Sequence, residues 1–176
     1  MSYTAYNGST GEVSAVWRPV ADVPTVDRPL TQARLVAPGD VTRGQYGMFE
    51  WNMAPRAGGP GAHFHKTFSE SFYVISGTVR LFDGDGWVNA SAGDFLYVPE
   101  GGIHAFRNDS DDPASMLILF APGAPREEFF RELAEIGETG RQLSAEEWTE
   151  LYARHDQHMV RPGRAHDPSS GPPAVR

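Results

Sequence analysis

Between Gly61 and Gly77 the chain reads GAHFHKTFSESFYVISG, with His63 and His65 one residue apart and Glu70 shortly after them. Alternate side chains of an extended strand share a face, so both imidazoles project to one side and Phe64 to the other. The short turn KTFS returns the chain, and Glu70 is expected to open the next strand opposite the two histidines across the pair. A third imidazole, His104, arrives from GDFLYVPEGGIHAFRN, where the turn from Pro99 to Gly102 re-aims the chain into a new strand. Imidazoles and a carboxylate on an otherwise apolar inward face are costly to bury without partners. Three neutral nitrogens and one anionic oxygen suit a single divalent transition metal ion: Fe, Ni, Mn, Co, Cu or Zn, whose overlapping affinities leave its identity open. Four protein donors leave room on a five- or six-coordinate ion for a further ligand, and such vacancies distinguish catalytic from structural metals.

Side chains two residues beyond the donors inherit their face, so Phe72 and Phe106 are expected to line a pocket around the ion. The segment MFEWNM adds Phe49, Trp51 and Met53 on one face, as further pocket wall or as ordinary core. An aromatic pocket suits a planar or unsaturated organic ligand better than a sugar. Other polar clusters read differently. His155 and His158, in RHDQH near a helix end, are expected to face solvent or the helix dipole rather than bind metal. His166 lies in a terminal tail. The acidic DGDGW at 83–87 is a hairpin tip with too few ligands for calcium.

These residues must be positioned by strands. From Leu30 to Phe120 the chain is a series of short alternating segments separated by APGD, PRAGGPG, DGDG, SAGD, PEGG and DSDDP, all turn formers. Many short strands without intervening helices predict an all-β, antiparallel barrel or sandwich. Residues 1–28 read as a polar N-terminal arm, with one strand expected over Glu12–Arg18; 29–122 form the barrel, 123–160 a helical extension and 161–176 a disordered tail rich in Pro, Gly and Ser. In the extension, APREEFFRELAEIG predicts a helix with Pro125 in its first turn and Gly137 as its stop. LSAEEWTELYAR predicts a second, with Ser144 and Glu147 as a capping box and Leu143 stapling onto Trp148. Both helices are expected to pack outside the barrel.

Composition narrows the function classes. The 176 residues contain no cysteine, which removes disulfides and thiolate metal sites. A net charge of −8 disfavours nucleic acid and anionic membranes, because no excess of cations exists to release counterions. The longest apolar run, MLILFA, is too short to span a bilayer, and the N-terminus lacks a basic segment followed by an apolar one. A cytoplasmic protein is expected.

The two histidine segments together resemble the two motifs of the cupin superfamily. The first motif falls on His63, His65, Glu70 and Gly77; the second falls on Gly93, Pro99, Gly101, His104 and Asn108. The chain departs from the pattern at the first motif's leading glycine, where Ala57 stands with Gly58 just after it. The resemblance extends over Val41 to Ile136 and is greatest to small single-domain cupins of the quercetin 2,3-dioxygenase-like kind. It implies a jelly-roll β-barrel, a metal held by His63, His65, Glu70 and His104, and a homodimer. The expected activity is that of a mononuclear metal-dependent oxygenase, dioxygenase-like, acting on a small aromatic or enolic compound. Glu70, as ligand or released from the ion, would accept the substrate's hydroxyl proton. The alternatives are an isomerase, cyclase or lyase using the ion as a Lewis acid, a small-molecule-binding module without catalysis, and a purely structural barrel.

Overall fold

The computed structural model describes residues 6–160; the expected tail over 161–176 and His166 lie outside the described residues. Strand residues alternate between interior and surface as a half-buried sheet requires. In β3 (Gly47–Met53) Phe49, Trp51 and Met53 are buried, and in β10 (Ala114–Ala121) so are Met116, Ile118 and Phe120. These two strands sit at the centre of a six-stranded antiparallel sheet. Its order is β1 (Thr25–Arg28), β2 (Thr31–Ala37), β3, β10, β5 (Ser69–Ser76) and β8 (Phe95–Val98). Facing it is a second sheet in the order β7 (Trp87–Ser91), β6 (Thr78–Phe82) and β9 (Ala105–Arg107). A short pair, β4 (His63–Phe64) with β11 (His158–Met159), continues this layer through one bridge between His63 and His104.

The expected barrel is therefore a jelly roll of two facing sheets rather than one closed ring of strands. The chain changes sheet at Gly77, which alone separates β5 from β6. Its φ of +71° belongs to the left-handed region, and a Cβ there would strike the backbone at Pro113 and Ala114. Phe72, Val74, Val79, Leu81 and Ile118 fill the space between the layers.

Two expectations about the flanks are corrected. Glu12–Arg18 forms no strand; the edge strand of the N-terminal region is β1, and Arg18 instead donates to the carbonyls of Leu35 and Val36. Helix α1 (Arg126–Thr139) runs through Gly137 and stops at Gly140, whose φ is +65°. A glycine inside a helix costs only about 1 kcal/mol relative to alanine, so Gly137 alone does not end it. The two C-terminal helices are present as expected, and Phe130 of α1 packs on Phe49 and Trp51, with centroids 5.4 and 5.2 Å away. Helix α2 (Ala145–Arg154) begins with the predicted capping box, Ser144 Oγ accepting from the Glu147 amide and Glu147 Oε2 from the Ser144 amide.

Candidate metal centre

The donor atoms of His63, His65, Glu70 and His104 lie within 4.8 Å of one another, and all four residues are buried. The route by which they meet differs from the expected strand pair. Glu70 pairs with Phe120 on β10 and Val98 on β8, not with the histidine strand. It belongs to one sheet, His63 and His104 to the other layer and His65 to the turn after β4, so the donors converge across the interior. The turn at 65–68 carries the chain between layers too sharply for β4 and β5 to form a hairpin.

Backbone carbonyls fix all three rings. His63 Nδ1 faces Gly61 O at 2.9 Å, His104 Nδ1 faces Gly102 O at 3.0 Å, and His65 Nδ1 faces Asp156 O at 2.6 Å. A carbonyl can only accept, so each Nδ1 carries the hydrogen and each Nε2 presents its lone pair to the interior. Nε2 of His65 and of His104 stand 3.0 and 2.8 Å from Glu70 Oε2. Lone pairs aimed at a carboxylate repel unless a cation lies among them, either a proton on an imidazole or a metal ion. Burial and the neighbouring His104 press the His63 pKa down to about 3, so that ring is neutral near pH 7. Burial works against charge on Glu70, but the neighbouring His104 outweighs it and holds the carboxyl well below the usual range. Burial likewise opposes charge on His104, yet Glu70 outweighs it and raises that pKa. The donor set thus fits a divalent cation: His63 and the Glu70 carboxylate are ready to bind, and His104 must at most give up a proton.

The sequence reading missed the support around this centre. Asp156 sits at φ +50°, a left-handed conformation that aspartate tolerates. Its Oδ2 accepts from the amides of Lys66 and Thr67 and from Thr67 Oγ1, while its carbonyl orients His65. Phe68 stacks on His65 with centroids 4.3 Å apart. Gly101, at φ +81°, donates its amide to the His65 carbonyl at 2.7 Å, tying the turn before His104 to the first pair of histidines. The motif asparagine, Asn108, spends its amide on the carbonyls of Ala54 and Asp112 and its oxygen on Ser110; it closes a turn and does not reach the donors. His155 and His158 stand outside the donor group, paired with Glu132 and Asp156. Neither simply faces solvent: β11, which contains His158, pairs with the His63 strand.

A cavity of about 490 Å³ reaches the donors at His63 and Glu70. Trp51 and Phe106 border it; Phe49, Phe72 and Met53 do not, being packed in the core between the sheets. Phe72 lies behind His104, its ring 5.8 Å from the imidazole. The rest of the wall comes from Ile118 and Phe120, from the glycine-rich loop 58–61 and from α1 and α2, including Arg126, Phe129 and Tyr152. A sign of Arg126's role was available in the sequence: a cation in the first helical turn faces the positive end of the dipole, an unfavourable position.

This is a cupin fold. Residues 49–120 match the family model described as a cupin domain. Over 73 residues the chain is 33% identical to quercetin 2,3-dioxygenase from Bacillus subtilis (strain 168), a match covering 42% of this chain and 21% of that protein. Among solved structures it is similar to ectoine synthase from P. lautus, with 14% identity, coverage of 67% of this chain and 86% of the other, and a TM-score of 0.56. It is likewise similar to the polyketide cyclase RemF from Streptomyces resistomycificus, with 19% identity, coverage of 60% and 80%, and a TM-score of 0.52. Those structural likenesses speak to fold alone.

Proposed function

We propose that this protein is a mononuclear metal-dependent enzyme acting on a small aromatic or enolic compound, with an oxygenase reaction as the leading activity. One observation carries the reading: three imidazoles whose Nδ1 atoms are committed to carbonyls turn their Nε2 atoms, with Glu70, toward one point beside an aromatic cavity. His63, His65, Glu70 and His104 would hold the ion, which supplies an electrophilic centre with vacant positions and, for a redox-active metal, access to dioxygen. Glu70, held as a carboxylate beside His104, is the group placed to accept a proton from a substrate hydroxyl. Trp51, Phe106 and Phe129 hold a planar ring and keep water from the reacting atoms, while Phe72 supports His104 from behind. The local identity to a quercetin dioxygenase supports the oxygenase form.

The same donor set serves an isomerase or cyclase in which Glu70 moves a proton without electron transfer, a reaction class compatible with the polyketide cyclase of like fold. Elemental analysis of the purified protein, then oxygen-uptake assays with catechols, flavonols and diketones, tests the reading. Turnover undiminished under argon would sink the oxygenase, and absence of metal after supply in excess would sink both forms. The proposal includes a homodimer through the edge strand β8, whose outer face exposes Phe95 and Tyr97 beside Tyr73 of β5. Among the described residues, no helix is long and apolar enough to cross a membrane.

A further inference from the structure

Arg126, the first residue of α1, is 4% exposed and borders the cavity together with Glu70. Its guanidinium donates to His155 O at 2.7 Å and to Gln157 Oε1 at 3.0 Å, both neutral acceptors. Nε is enclosed without any acceptor, and among the described residues the group forms no salt bridge. Phenyl rings surround it, with its central carbon 4.4 Å from the Phe129 centroid and 5.4 Å from that of Phe120. Burial lowers its pKa only to about 10, so it remains a cation near neutrality.

A buried charge ordinarily has a counter-ion, because desolvation otherwise costs several kcal/mol. Two carboxylates influence Arg126 at longer range, and both are engaged elsewhere. Asp156 uses its oxygens on the 66–67 turn and His158, and Glu70 faces His65 and His104. Among the described residues, the only other charged side chain of the cavity wall is Arg28, a second cation. The positive end of the α1 dipole adds to the same potential. Trp51 Nε1, also in the wall, is a second enclosed donor without an acceptor. The cavity thus combines aromatic walls, two arginines, one committed carboxylate and unspent donors.

We infer that the ligand of this cavity is an anionic aromatic or enolic acid, whose carboxylate takes Arg126 as counter-ion while its ring lies among Trp51, Phe106 and Phe129. The inference deepens the proposed function by naming the acidic class of the substrate, and it rests on that reading for the metal at the cavity's inner end. Bidentate pairing of a carboxylate with a guanidinium fits this role, and arginine supplies it better than lysine.

The test is calorimetric binding of matched pairs to the protein as purified: 3-hydroxy-2-naphthoate against 3-hydroxy-2-naphthamide, and 2,3-dihydroxybenzoate against its amide. Each acid should bind at least about tenfold more tightly than its amide, as a charge-assisted pair predicts. Arg126→Met should erase that preference and Arg126→Lys reduce it, with the fold checked by circular dichroism. Equal binding of acid and amide by the unmodified protein, or no binding of either acid, would overturn the inference without reference to any variant. So would an undiminished preference in folded Arg126→Met, because the carboxylate would then be held elsewhere. Metal content measured on the same samples separates this inference from the proposed function: acid preference in protein that takes up no metal sustains the role of Arg126 and removes the enzyme reading, whereas metal without acid preference does the reverse.

Discussion

His63 and His104, distant in sequence, exchange both backbone hydrogen bonds: the amide of each donates to the carbonyl of the other, at 3.0 and 2.9 Å. Two of the candidate ligands are thus a directly opposed antiparallel pair, and their ring centroids lie 4.3 Å apart. The backbone, not a side chain, sets the spacing between them.

That relationship makes His104→Ala informative. The backbone pair survives the substitution, so the sheet should remain, while one nitrogen donor is lost and Glu70 keeps only His65 as partner. Metal content by elemental analysis should fall to a small fraction of the unmodified protein's, with an unchanged far-ultraviolet circular dichroism spectrum. Stability should fall by about 1–3 kcal/mol, the usual effect of leaving a buried acceptor short of a donor. Unchanged metal content would remove His104 from the centre.

Asp156 acts on the centre through the β4–β5 turn and His65. Asp156→Ala removes the acceptor of three donors on that turn, and metal affinity should fall about 10–100-fold, the range for outer groups that orient a ligand. Asp156→Asn keeps one oxygen and a side chain tolerant of the left-handed region, and should recover most of that loss. Competition with a chelator of known affinity measures both.

Phe72 and Phe129 differ in place and should differ in effect. Phe72→Ala empties a fully buried position behind His104 and should cost about 3–5 kcal/mol in denaturant unfolding. Phe129 borders the cavity, and Phe129→Leu should weaken binding of aromatic ligands more than it lowers stability.

Acid should loosen α2 first at its cap. The Ser144 amide and then Arg141 hold the Glu147 carboxyl below its ordinary value of 4.5. A depressed carboxyl stabilises the folded state above the unfolded value and ceases to do so as pH falls through the folded one. The protection of the Trp148–Leu151 amides, taken relative to their intrinsic exchange rates, should therefore fall below about pH 4.5, and Glu147→Gln should remove that pH dependence.

The strands and the donors were legible because period-two alternation and the joint histidine pattern are local signals. His63, His65, Glu70 and His104 could be picked from their own neighbourhoods, and Ser144 with Glu147 announced a helix start. The sheet partner of Glu70 was not legible: KTFS looks like a hairpin turn, but here it crosses between layers, and only long-range pairing with β10 and β8 decides that. Phe49, Trp51 and Met53 share a face, yet depth along the strand separates Trp51 at the wall from its neighbours in the core. The roles of Arg126 and Asp156 depend on where the C-terminal segment docks, which no spacing in the chain encodes.

Strand β11 pairs with β4, so the edge of the segment bearing His63 is covered by residues synthesised almost a hundred positions later. During translation the four candidate ligands leave the ribosome well before the backbone that covers one of their strands and orients His65. A nascent chain ending near Gly140 would possess every donor but lack Asp156, and any cation it captured would sit in an unfinished, solvent-open cradle. On the proposed function, β11 would thus act as the latch of the centre, closing over the His63 strand only after the ligands are in place.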